Sequence, residues 1–154
     1  MLKLFNLIAP LITLCAFLGA CSGSSRIKDI GIRDAKLTPC PTSPNCVSSD
    51  ARDTKHHIAP FALIGSSTDV WPTARSLVSN LPGAEIVTET PDYLHVECRS
   101  AVFGFVDDLE LHLRPEEGVI AVRSAARTGK YDFGVNRKRI EELRTALQKH
   151  GVVR

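Results

Sequence analysis

Tyr93-Leu94-His95-Val96-Glu97-Cys98-Arg99-Ser100, with Asp107-Asp108-Leu109-Glu110-Leu111-His112-Leu113 shortly after it, is the stretch on which the fold turns. In both runs apolar and polar residues alternate, and successive side chains of a strand point to opposite faces. Leu94, Val96 and Cys98 therefore point one way and Tyr93, His95, Glu97 and Arg99 the other. Leu109, Leu111 and Leu113 oppose Asp108, Glu110 and His112 in the same manner. Upstream, residues 84–90 read as a strand; downstream, residues 119–125 do, with Ile120 and Val122 opposed to Ala121 and Arg123. Pro91-Asp92 and Pro115-Glu116-Glu117-Gly118 are turn signals between them, so the strands, over residues 84–90, 93–100, about 103–113 and 119–125, form an antiparallel meander with one apolar and one charged face. Cys98 falls on the apolar face, which reads as a buried free thiol.

A helix is expected on each side of the meander. Val70, Trp71, Ala74, Leu77, Val78 and Leu81 recur at three- and four-residue spacing over residues 69–81, with Thr68 or Asp69 as cap, Pro72 in the first turn and Pro82-Gly83 as terminator. Ile140, Leu143 and Leu147 give residues 135–149 the same inward stripe, and Gly151 stops it. The expected fold is α+β: a two-layer sandwich of a four-stranded antiparallel sheet with two helices on one face, in the order helix, four strands, helix.

Outside this unit the chain changes character. Lys3 is followed by an apolar stretch over residues 4–18, interrupted by Asn6, Pro10 and Thr13, and no acid precedes Asp29. That is an export leader, too short and too lacking in a basic flank for a membrane span. Leu18-Gly19-Ala20-Cys21 at its end resembles the lipobox of bacterial lipoproteins, which implies cleavage before Cys21 and acylation of its thiol with diacylglycerol and palmitate-type chains. Ser22, in place of an aspartate, implies the outer membrane with the domain facing the periplasm. The expected organisation is a signal peptide over residues 1–20, a lipidated Cys21 and flexible tether over 21–37, and one globular domain over 38–154.

The chain holds 19 basic and 17 acidic residues, and losing Lys3 with the leader leaves 18 against 17. So balanced a charge, with no nucleic-acid-reading motif, argues against nucleic acid as a partner. Cys15 leaves with the leader and Cys21 is committed to lipid. Cys40 and Cys46 flank a proline-stiffened loop, and a disulfide between them is expected in an oxidising compartment. The spacing lacks a C-x-x-C redox or zinc pattern, so neither a metal nor another cofactor is expected.

Three further strings carry a family resemblance: residues 41–49 (Pro41-Thr42-Ser43-Pro44-Asn45-Cys46-Val47-Ser48-Ser49), residues 104–110 (Gly104-Phe105-Val106-Asp107-Asp108-Leu109-Glu110) and residues 123–140 around Arg127-Thr128-Gly129-Lys130-Tyr131-Asp132-Phe133-Gly134. Together they resemble a family known only as domain of unknown function 1499, departing from its pattern at Ala126, where a second serine is usual. The resemblance implies an envelope domain, often lipid-anchored, and no particular activity.

On the residues themselves, Glu110 faces Arg123 across the turn, an exposed cross-strand pair contributing a few tenths to about 1 kcal/mol. Arg123, Arg127, Arg137 and Arg139, with Asp132 and Asn136 at the start of the last helix, read either as an anion site or as clamps on nearby carboxylates. Asp107, Asp108 and Glu110 form a carboxylate cluster, although adjacent strand residues point to opposite faces. The leading expectation is a non-enzymatic envelope lipoprotein whose domain binds a small anion or a protein partner or serves as an accessory. The alternative is a hydrolase-like enzyme using Asp107, Asp108 and Asp132.

Overall fold

The computed structural model describes residues 30–154. The expected signal peptide, Cys21 and most of the tether lie outside the described residues. Eight strands and two α-helices follow in the order β1 (Ile32–Arg33), β2 (Lys36–Leu37), β3 (Cys46–Ser48), β4 (Phe61–Ala62), α1 (Ser67–Ser79), β5 (Ala84–Glu89), β6 (Tyr93–Arg99), β7 (Val106–Arg114), β8 (Val119–Ala126) and α2 (Val135–Lys149).

The sheet corrects the expected fold. It has six strands, not four: β3-β8-β7-β6-β5 in order, with β4 also on β8, and β1 and β2 form a separate two-stranded sheet. All pairings between these strands are antiparallel. The physical reason lies in β8, which would otherwise leave a long edge of unpaired backbone groups, an invitation to aggregation. β3 covers its residues 123–125 and β4 its residues 119–120. Between them Ser49 closes the gap, donating its N–H to the Val122 carbonyl at 2.8 Å and accepting from the Val122 N–H at 2.9 Å through its hydroxyl.

Both helices bury their stripes against one face of this sheet. Val70, Trp71, Ala74 and Val78 of α1 and Ile140, Leu143 and Leu147 of α2 share a continuous core with Leu94, Val96, Cys98, Leu109, Leu111, Ile120 and Val122. Cys98 is free and buried there, and burial pushes its thiol pKa up. α1 begins earlier than its apolar period suggests: Ser66 caps it, its hydroxyl accepting from the Thr68 N–H at 3.2 Å, so neither Thr68 nor Asp69 is the cap. Arg144 of α2 ties down the segment before β4, donating to the carbonyls of Ala59 and Pro60 and lying over the Phe61 ring at 4.8 Å.

β7 starts at Val106 rather than near residue 103, because residues 100–105 close a tight loop. The Ser100 N–H donates to the Phe105 carbonyl and the Ser100 hydroxyl accepts from the Phe105 N–H. Among the described residues no helix is long and apolar enough to cross a membrane.

Candidate functional site

The opposite face of the sheet carries the charges, and it is buried. Tyr93, His95, Asp108, Glu110, His112 and Arg123 are all shielded from solvent, with Glu110 at 0% exposure and Arg123 at 4%. The reading of Glu110 and Arg123 as an exposed pair is thus corrected. The cover comes from the N-terminal segment: the Gly31 N–H donates to Glu110 Oε1 at 2.7 Å, and Leu37 packs with Tyr93 and Ala121 in a small second core. Asp50 locks this cover, accepting from the Leu37 N–H and, through both oxygens, from Arg114.

Register builds the network beneath. Glu110 lies between His95 and Arg123 across three strands, and Asp108 lies opposite Glu97. Arg123 donates to Glu110 Oε2 at 2.7 Å and the Tyr93 hydroxyl to Oε1 at 2.8 Å, so this carboxylate has three donors. Asp108 meets His95 Nε2 at 2.7 Å and accepts from Nε and Nη2 of Arg127, whose Nη2 also donates to Glu97 at 2.6 Å. Burial alone would raise the Asp108 pKa, but hydrogen bonds from His95 and Arg127 outweigh it and hold the carboxyl below its ordinary value. Burial and the neighbouring Glu110 charge push the Tyr93 phenol well above its ordinary value, so it remains a donor. Among the described residues, Arg123 Nε is the one buried side-chain nitrogen or oxygen without a hydrogen-bond partner.

A second polar cluster sits on the helix side of the same sheet. Arg139 donates to Asp107 at 2.8 Å, to the Ser124 hydroxyl at 3.0 Å and to Asn136 Oδ1 at 2.7 Å. Asn136, fully buried, also accepts from the Ser124 hydroxyl and donates to the Asn45 carbonyl and to Asp132. Asp132 receives the N–H groups of Gly134 and Asn136, filling the start of α2; these bonds outweigh burial and lower its pKa. The Cys40–Cys46 disulfide, with Cα atoms 5.7 Å apart, holds the loop that supplies Asn45.

The candidate residues are therefore divided. Glu110 with Arg123, and Asp108 with Arg127, meet on the covered face. Asp107, Asp132, Asn136 and Arg139 meet on the helix side. Arg137 joins neither, donating to the carbonyls of Lys55 and His57. Arg127, Arg137 and Arg139 do not converge on the α2 N-terminus, and Asp107, Asp108 and Asp132 do not share a site. Ser124 donates to an amide oxygen and faces no base, so it is not set up as a nucleophile. Among the described residues no group of three or more His, Cys, Asp or Glu side chains is placed to hold a metal ion. Tyr93, His95 and Glu97 join the network on the covered face although no motif marks them as site residues; the alternation that puts them on one face with Asp108 and Glu110 is the sequence signal for them.

A family model described as protein of unknown function (DUF1499) matches residues 36–147. No curated protein and no solved structure matches the chain.

Proposed function

Since this chain belongs to the DUF1499 family of proteins of unknown function, we propose from its own residues that it is an envelope lipoprotein held by acyl chains on Cys21, its domain a non-catalytic binding or accessory module at the periplasmic face of the outer membrane. The anchor half rests on Leu18-Gly19-Ala20-Cys21 at the end of an apolar leader. Several acyl chains hold a domain on a bilayer where one would do so only marginally.

The non-catalytic half rests on one observation. The charged groups from which an anion site or a hydrolase would be built already meet partners within the fold: Asp107 with Arg139, Asp108 with Arg127, Glu110 with Arg123 and Asp132 with backbone amides. A general acid or base needs a pKa near the working pH, and Asp108 and Asp132 are shifted the other way. The surface left for a partner is the end of the sheet where large apolar side chains meet solvent.

Metabolic labelling with palmitate tests the anchor. The wild-type chain takes up label and fractionates with outer membranes, while Cys21→Ser does not label. Absence of label from the wild type, with an unchanged distribution in the variant, overturns it. For the non-catalytic half, Arg127→Ala and Asp107→Asn, which remove internal ion pairs, are expected to weaken folding without abolishing association with membranes; a folded Asp107→Asn chain that loses a measurable hydrolytic activity would restore the catalytic reading.

A further inference from the structure

Two loops leave the same end of the sheet, residues 100–105 between β6 and β7 and residues 127–134 between β8 and α2. They are neighbours because Asp107 pairs with Ala126 and the Arg127 N–H donates to the Val106 carbonyl at 3.1 Å. Both expose large apolar side chains: Val102 at 83%, Phe103 at 76%, Phe105 at 58%, Tyr131 at 72% and Phe133 at 98%. The Phe103 and Phe105 rings lie 5.7 Å apart, and exposed apolar side chains gathered at one end of a domain mark an interaction site.

The loops are built to hold these side chains out. Ser100 closes the first loop through its N–H and hydroxyl, and Asn45 donates to the Gly129 carbonyl in the second at 2.8 Å. Phe133 takes φ 53°, left-handed and costly for a residue with a bulky side chain, with almost all of its surface in water.

The chemistry around the tips favours a bilayer. Residues 100–106 carry no charge. The acids closest in sequence face inward, Asp107 to Arg139 and Asp132 to the Gly134 and Asn136 amides. The cations Arg99 and Lys130 are exposed beside the tips. Phenylalanine and tyrosine at the tips with flanking cations suit the interface of a membrane bearing anionic headgroups. The distance also closes: Gly31 is fixed to Glu110, the ten residues from Cys21 to Gly31 extend at most about 35 Å, and Glu110 stands three residues, about 10 Å, from the sheet end at Asp107.

We propose that these two loops seat in the interface of the bilayer that carries the Cys21 lipid, turning the β6–β7 end of the domain toward the membrane. This rests on the anchor reading above. The test uses the full lipidated chain reconstituted into phosphatidylethanolamine/phosphatidylglycerol vesicles, with Phe103→Trp or Phe133→Trp as reporter; Trp71, in the core, supplies a constant background. Each reporter is expected to shift its emission to the blue on reconstitution and to be quenched by lipids brominated in their acyl chains. Phe105→Ser added to F103W is expected to reduce the quenching. Reporters that stay water-exposed and unquenched in a palmitate-labelled chain that floats with the vesicles overturn the inference and leave the anchor standing, with a protein as the occupant of the tips. A chain that neither labels nor floats overturns both.

Discussion

Glu110 and Arg123 exchange a hydrogen bond with almost no water in reach, so each charge depends on the other. Two charges leave water at a cost of several kcal/mol each, and their attraction repays it only with good geometry and further donors, which Tyr93 and Gly31 supply. Glu110→Ala strands the Arg123 charge and should destabilise the fold by roughly 3 to 5 kcal/mol. Glu110→Leu with Arg123→Met should lose much less, though Tyr93 and Gly31 would still lack their acceptor. Urea unfolding of the single and double variants measures the difference; a single-variant loss under about 1 kcal/mol would mean the pair is hydrated after all. The pairing of Glu110 with Arg123 was legible in the sequence, since alternation and one turn fix the register. Its burial was not, because the cover comes from residues 31–37, where Leu37 is the one strong apolar anchor and no period announces a structured lid. The folded pKa of Asp108 lies below its ordinary 3.8, as do those of Asp50 and Asp132. Their ionised forms favour the fold above that value, and the contribution disappears as pH falls through the lower folded values. His112 is likewise lowered from 6.5, by burial and then by Arg114, so its contribution is whole above 6.5 and declines as pH falls below it. Asp108→Asn should flatten the stability curve below pH 3.8, and His112→Gln just below pH 6.5, in urea midpoints taken across both windows. Unchanged slopes in both variants would contradict these assignments.

At the scale of elements, the meander was readable because β6, β7 and β8 are long enough for their alternation to show, and α2 because its stripe and Gly151 bound it at both ends. β3 and β4 were not readable as sheet strands. Three and two residues hold no period, and all three residues of β3 are buried, so no polar face marks them. They exist because β8 needs its outer edge covered, a demand made by tertiary structure alone. The join between α1 and β5 shows the reverse, a local signal with a larger role than the sequence suggested. Gly83 reads as a helix terminator, yet it takes φ 68° and its backbone packs so closely on Arg99 that an added Cβ would collide with the Arg99 carbonyl oxygen. The Arg99 N–H donates to the Gly83 carbonyl at 2.8 Å, so neither strand of the contact can move aside without breaking it. Gly118, at φ 64° in the β7–β8 turn, has open space where its Cβ would stand. Gly118→Ala should therefore cost only the left-handed strain, about 1 kcal/mol, and Gly83→Ala clearly more. Thermal unfolding of the two variants decides it: equal losses would mean that the approach to Arg99 is loose.

For the whole molecule, the two sides of the sheet are stabilised by different means, and that difference has a dynamic consequence. Beside the polar cluster of Asp107, Asn136 and Arg139, the helix side holds one continuous apolar core through which α1, α2, β4 and the meander all touch. The charged side is closed by a hairpin that, among the described residues, sets Leu37 in a small apolar cluster with Tyr93 and Ala121 and donates hydrogen bonds from Gly31 to Glu110 and from Leu37 to Asp50. Segments with few buried apolar contacts open at a fraction of the global unfolding free energy. Amide hydrogen exchange should accordingly find Leu37 and Thr38 exchanging through a local opening that leaves Leu109 and Leu111 protected, with low denaturant changing the hairpin rates little because such an opening exposes little surface. The hairpin is also where the chain leads toward Cys21, so a pull from a membrane anchor would reach the covered ion pairs before it reached the core. Equal protection of hairpin and core amides would instead make both sides one cooperative unit, with the charged face closed as firmly as the apolar one.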